Sequence, residues 1–174
     1  MHRALPHPIH IDGFRFAQSC GRIEGEVRLV DLPRLQDVLS SPAGSLRYKL
    51  DGTQDDMGRL ALRIRAEGSF GLTCQRCLGP LEFPVRLDSL LVLARSEREI
   101  ERGSDDPEGP DRLVANEAMP VLEMLEDELL LAIPYVPRHE ACTSEVAEPG
   151  ASVPSAFQGL RGLLGGSGGS AKSK

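Results

Sequence analysis

The chain has 174 residues, 40% of them hydrophobic and 26% charged, which suits one domain with a tail. A net charge of −6 argues against general attraction to phosphate backbones, and aromatics at 4% with no Trp make a poor stacking platform for single-stranded nucleic acid. No stretch approaches the roughly 20 apolar residues of a membrane helix, and the opening Met1-His2-Arg3-Ala4-Leu5-Pro6 lacks the apolar run of a secretory signal, so a soluble cytoplasmic protein is expected.

His2, His7 and His10, interleaved with Pro6 and Pro8, read as a solvated lead-in. Residues 11–16 suit an edge strand or a first helical turn. Ile23, Val27 and Leu29 alternate with Glu24, Glu26 and Arg28, the period of two expected for a strand with one wet face. Asp31 can cap a short helix carrying Leu32, Leu35, Val38 and Leu39 on one stripe, with Pro33 tolerated in the first turn. Residues 46–50 alternate again, and Asp51-Gly52 reads as the start of a turn.

The longest alternation follows. Leu60, Leu62, Ile64, Ala66, Phe70 and Leu72 share one parity, and Arg63, Arg65 and Glu67 the other. After Cys74-Gln75-Arg76-Cys77-Leu78-Gly79-Pro80 the pattern resumes with Leu81, Phe83, Val85, Leu87, Leu91 and Leu93 facing one way. Two strands joined by a tight turn make a hairpin with both thiols at its tip, where Gly79 is expected to help the backbone curl. The acidic run over 96–111 reads as a mobile loop, and residues 112–115 as one more strand.

Pro120 fits a first helical position, with Val121, Leu122, Leu125 and Leu129 on one face and Glu123, Glu126, Asp127 and Glu128 on an acidic outer face. Acidic helix faces are routinely solvated, so paired catalytic carboxylates are not inferred. Pro134-Tyr135-Val136-Pro137 is stiff and would carry His139 and Cys142 to a fixed place. The remainder is a Ser-, Pro- and Gly-rich linker and flexible tail over 144–174. It contains a short docking segment, 154–164, with Phe157, Leu160, Leu163 and Leu164 at helical spacing.

The chain has 4 Cys, and in a reducing compartment Cys-x-x-Cys is more often a metal or redox site than a disulfide. Cys74, Cys77, His139 and Cys142 together supply three sulfurs and one nitrogen, a closed tetrahedral set for one structural zinc. Two alternatives stand beside it: a metal-free site with partly buried thiols, and a redox pair. The flanking pattern is β, so the helix N-terminus that usually activates a redox Cys-x-x-Cys is not expected. Cys20 reads as an isolated thiol. A second feature is basic: Arg47 and Lys49 on one strand, Arg63 and Arg65 on another, Arg76 at the hairpin tip and Arg138 beside His139. These six are candidate contacts for RNA phosphates or a partner, or else solvated residues paired with Glu24, Glu26 or Glu82.

Cys74-Gln75-Arg76-Cys77, the run from Leu125 through Ile133-Pro134-Tyr135-Val136-Pro137-Arg138-His139, and Cys142 together resemble the YceD family of large ribosomal RNA subunit accumulation proteins. Pro154-Ser155-Ala156-Phe157-Gln158-Gly159-Leu160 is similar to that family's C-terminal Asn-Pro-Phe-Ala-x-Leu segment but lacks its Asn-Pro-Phe. The resemblance covers residues 10–164. It implies a non-enzymatic accessory role in synthesis, processing or stability of 23S rRNA, with large-subunit rRNA or pre-ribosomal assembly proteins as partners and no small-molecule substrate. The zinc expectation comes from residue spacing and not from the family. A thiol redox protein and a protein–protein adaptor are the alternatives. The expected fold is α+β and mainly β: a twisted antiparallel sheet or partial barrel of about five or six strands with two packed helices, forming a domain over 1–143.

Overall fold

The computed structural model describes residues 9–102 and 109–142; the expectations for 144–174, including the docking segment, lie outside them. Strand β1 (His10–Ile11) leads through the cap Asp12, whose carboxylate accepts the Arg15 N–H at 2.9 Å, into helix α1 (Gly13–Gln18). The segment that suited a strand or a helix is therefore both. Strand β2 (Arg22–Arg28) follows its alternation.

The helix expected next is shorter than its apolar stripe. A 3-10 turn (Leu29–Asp31) precedes helix α2 (Pro33–Gln36), which no side chain of its own caps. Leu32 and Leu35 are buried, whereas Val38 stays 47% exposed.

Strand β3 (Ser45–Gln54) does not turn at Asp51-Gly52 but runs on to Gln54. Two contacts hold it extended there. Asp51 is gripped from both neighbouring strands by Arg22 and Arg65, and Gly52 lies so close under α1 that a Cβ would sit 2.4 Å from the Phe16 carbonyl oxygen. The reversal falls at Asp55, which accepts the N–H groups of Met57 and Arg59, with Gly58 at φ +76°.

Strands β4 (Leu60–Thr73) and β5 (Pro80–Ala94) form the long hairpin, registered Phe70 opposite Phe83 and Leu72 opposite Leu81. Part of the expected acidic loop is helical, as α3 (Glu97–Arg102), where the Glu99 side chain accepts the Arg95 N–H at 2.7 Å. Strand β6 (Arg112–Val114) then pairs parallel to β5. Strand β7 (Met119–Pro120) pairs with β1, and helix α4 (Val121–Ala132) follows with Pro120 as its cap residue rather than its first turn.

The fold is α+β and mainly β. The larger sheet runs in the order β2-β3-β4-β5-β6 and stays open, antiparallel up to β5 with one parallel pair at its end; β1 and β7 form a second, two-stranded sheet. Leu46, Leu50, Leu62, Ile64, Phe70 and Leu72 from the sheet meet Leu35, Leu125 and Leu129 in one core. One expectation for α4 is corrected. Glu126 is 2% exposed and Glu128 9%, so half of the supposed acidic outer face is inside. Glu126 has a reason to be there, since its carboxylate accepts the main-chain N–H of Leu35 at 2.8 Å and satisfies the uncapped start of α2.

Candidate metal centre

The β4–β5 turn is closed by its own main chain. The Cys74 N–H donates to the Gly79 carbonyl and the Leu78 N–H to the Cys74 carbonyl, both at 2.9 Å. Leu78, not Gly79, takes the left-handed conformation the curl requires, at φ 60°. The segment after α4 is tied to this tip by a main-chain bond, in which the Gln75 N–H donates to the Pro137 carbonyl at 2.8 Å. Two residues later that segment delivers His139, and then Cys142.

The four expected ligands converge. One ligand atom from each of Cys74, Cys77, His139 and Cys142 lies within 4.8 Å of all the others, close enough to hold one metal ion. Cys74 Sγ lies 3.5 Å from Cys142 Sγ, and His139 Nδ1 lies 3.4 Å from Cys77 Sγ and 3.7 Å from Cys142 Sγ. A tetrahedral zinc with Zn–S of about 2.3 Å and Zn–N of about 2.0 Å spaces its ligand atoms by about 3.8 Å (S to S) and about 3.5 Å (S to N). The three contacts at 3.4–3.7 Å are close to that spacing, and the donor set suits a zinc ion.

The surroundings fit it too. His139 Nε2 is 3.0 Å from the Pro80 carbonyl oxygen, so the ring donates there and presents the Nδ1 lone pair to the cluster. The main-chain amide of Cys77 leads the groups that hold the Cys74 thiol down to about 5, joined by the amides of Arg76 and His139. Arg76 is the first cause lowering the Cys142 thiol. For Cys77 the Gly79 amide works in the same direction, but Cys74, burial and Cys142 outweigh it and the thiol is raised. His139 is raised, chiefly by Cys142. Without a metal the sulfurs compete for protons; a dication removes that competition by holding all three as thiolates.

Thiol activation was not expected from a β context, yet the turn's amides supply it at Cys74. A lowered thiol serves redox exchange as well as metal binding. His139 Nδ1 and Cys142 Sγ have no part in a two-cysteine exchange pair, yet they lie close enough to Cys74 and Cys77 for the four to hold one metal ion.

The basic candidates fall differently. Arg47, Lys49, Arg63 and Arg65 do share one face of the sheet, but each meets a carboxylate. Arg47 reaches Glu67 at 3.6 Å, Lys49 reaches Glu24 at 3.1 Å, Arg63 pairs with Asp88 at 2.6 Å, and Arg65 pairs with Asp51. Of the three acids named from the sequence only Glu24 appears among these pairs; Glu67, Asp51 and Asp88 come from strand register. Arg76 turns back onto the cluster, its Nε donating to Cys142 Sγ at 3.0 Å and its Nη2 to the His139 carbonyl at 3.2 Å. Arg138 is exposed, with no ion pair among the described residues. Sequence reasoning missed Arg76 as a neighbour of the cluster and the Pro80 and Pro137 carbonyls as its supports. The position of Arg76 inside Cys-x-x-Cys was the one available signal.

The family model described as large ribosomal RNA subunit accumulation protein YceD matches residues 62–156, more than half of the chain and a span that takes in both ligand pairs. No solved structure matches the chain.

Proposed function

The chain belongs to the family of the large ribosomal RNA subunit accumulation protein YceD, and from that premise we propose that it is a cytoplasmic, non-catalytic accessory factor supporting accumulation of large-subunit ribosomal RNA. The observation that carries this reading is the family match over residues 62–156. Within it, Cys74, Cys77, His139 and Cys142 hold one structural zinc, which would clamp the segment after α4 onto the β4–β5 tip. The partner is large-subunit rRNA or a pre-ribosomal assembly protein. The sheet face bearing Arg47, Lys49, Arg63 and Arg65 is the contact surface that those residues suggest, and its balance of Arg, Lys, Asp and Glu favours a partner of mixed charge over a bare phosphate backbone.

The test is a strain depleted of the protein, in which precursor and mature large-subunit rRNA are quantified. Mature rRNA is expected to fall and to be restored by the wild-type chain; unchanged levels reject the role. Reversing the four basic residues together is expected to abolish co-sedimentation with pre-ribosomal particles, and unchanged co-sedimentation rejects that face. Elemental analysis of the wild type and Cys77→Ser, expected to give one zinc and none, tests the metal by itself.

A further inference from the structure

Three thiolates and a neutral imidazole around a zinc ion leave the site with one net negative charge. The four ligands are not supported alike. Cys74 is fully buried and its sulfur is met by main-chain amides of the hairpin tip. Cys142 is only partly buried and receives its leading hydrogen bond from a side chain, Arg76 Nε at 3.0 Å. The same guanidinium donates through Nη2 to the His139 carbonyl at 3.2 Å. Arg76 belongs to the hairpin tip, whereas Cys142 and His139 belong to the returning segment, so one side chain bridges the two halves of the site.

We propose that Arg76 is the positioning residue of this centre: its guanidinium offsets the site's negative charge and holds Cys142 as the fourth ligand. The proposal rests on the zinc reading above. The planar guanidinium is suited to the task because its Nε and Nη2 donors point along separate directions to a sulfur and a carbonyl oxygen; a lysine supplies the charge but not the fork. The sequence alone places Arg76 with the outward cations. The structure instead has it facing inward, onto a ligand sulfur.

The experiment is chelator competition for zinc with the wild type, Arg76→Met and Arg76→Lys. It is read together with iodoacetamide labelling of the zinc-loaded proteins, mapped by mass spectrometry. Arg76→Met is expected to bind zinc about 10–100-fold more weakly, the range typical for loss of an outer-shell partner. Its Cys142 is expected to alkylate before Cys74 and Cys77, with Arg76→Lys intermediate. A double-mutant cycle with Cys142→Ser separates positioning from general damage: with the sulfur gone, Arg76→Met should cost little further affinity. A zinc-loaded wild type with Arg76→Met affinity within about twofold of it, or an undiminished Arg76→Met effect in the Cys142→Ser background, overturns the proposal and leaves the zinc site standing. A wild type that binds no zinc overturns both.

Discussion

The Glu126 carboxylate on α4 accepts the main-chain N–H of Leu35 on α2 at 2.8 Å, joining residues 91 positions apart in a contact with almost no exposure to water. It does the work of a helix cap from another element, at a helix with none of its own. Glu126→Ala leaves that N–H unpaired in the core and should cost about 1–3 kcal/mol. Glu126→Gln, which keeps an acceptor oxygen, should cost less. Urea unfolding of the two variants checks this, and equal midpoints for Glu126→Ala and the wild type would reject the capping role.

Asp51 gives the protein an acid-sensitive joint. Burial by itself would raise its carboxyl, but hydrogen bonds from Arg22 and Arg65 and the charges of Arg22 and Lys49 outweigh burial, and it sits below the ordinary carboxylate value. A depressed folded-state value means a stabilising contribution that is complete above the unfolded range, near pH 4, and is lost as pH falls through the folded value. Asp51→Asn should therefore lower stability at neutral pH by about 1–3 kcal/mol, and the gap to the wild type should close on acidification. A gap that stays constant down to about pH 2 would refute this.

Metal removal should loosen the closure between hairpin tip and returning segment. At free zinc a thousandfold above Kd, binding to the folded state stabilises by about 4 kcal/mol, so chelation should lower the thermal midpoint of the wild type. His139→Ala should behave like the chelated wild type and respond little to chelator. Hydrogen exchange at the Gln75 amide, which donates to Pro137, should speed up in both cases. A thermal midpoint indifferent to chelator in a zinc-loaded protein would argue against a structural ion.

Two glycines should respond to alanine for different reasons. At Gly52 an added Cβ meets main-chain atoms of α1, the Phe16 oxygen at 2.4 Å and the Ala17 Cα at 2.8 Å. Backbone cannot swing aside, so Gly52→Ala should cost about 1–3 kcal/mol and shift α1. At Gly58 nothing lies within 4 Å, but φ is +76°, so Gly58→Ala should cost only about 1 kcal/mol of left-handed strain. Denaturant midpoints measured side by side test the ranking, and a larger loss at Gly58 would reverse it.

Much of this molecule was legible because strand signals are local. The alternation through Leu60 to Leu72 and Leu81 to Leu93 needs only neighbours to be read, and it placed Cys74 and Cys77 at a hairpin tip. Matching Cys-x-x-Cys and His-x-x-Cys spacings named the four ligand candidates. Where a tertiary contact overrode a local preference, the sequence misled. Asp51-Gly52 has turn chemistry, but Arg22, Arg65 and α1 hold it in a strand. Glu126 and Glu128 read as solvent-facing by residue type, but both are buried, and the Glu126 carboxylate meets the Leu35 N–H of α2.

The sequence by itself determined the long β4–β5 hairpin, which four side chains have metal-ligand chemistry, and the family to which the chain belongs. Only the tertiary structure decided that ligand atoms from segments 62 residues apart come within zinc-binding distance, that Arg76 faces Cys142, and that the basic strand residues each meet a carboxylate. The reason is physical: periodicity is set by the geometry of a few consecutive residues, whereas partners across a sheet are set by strand register and chain return, which no short window of residues contains.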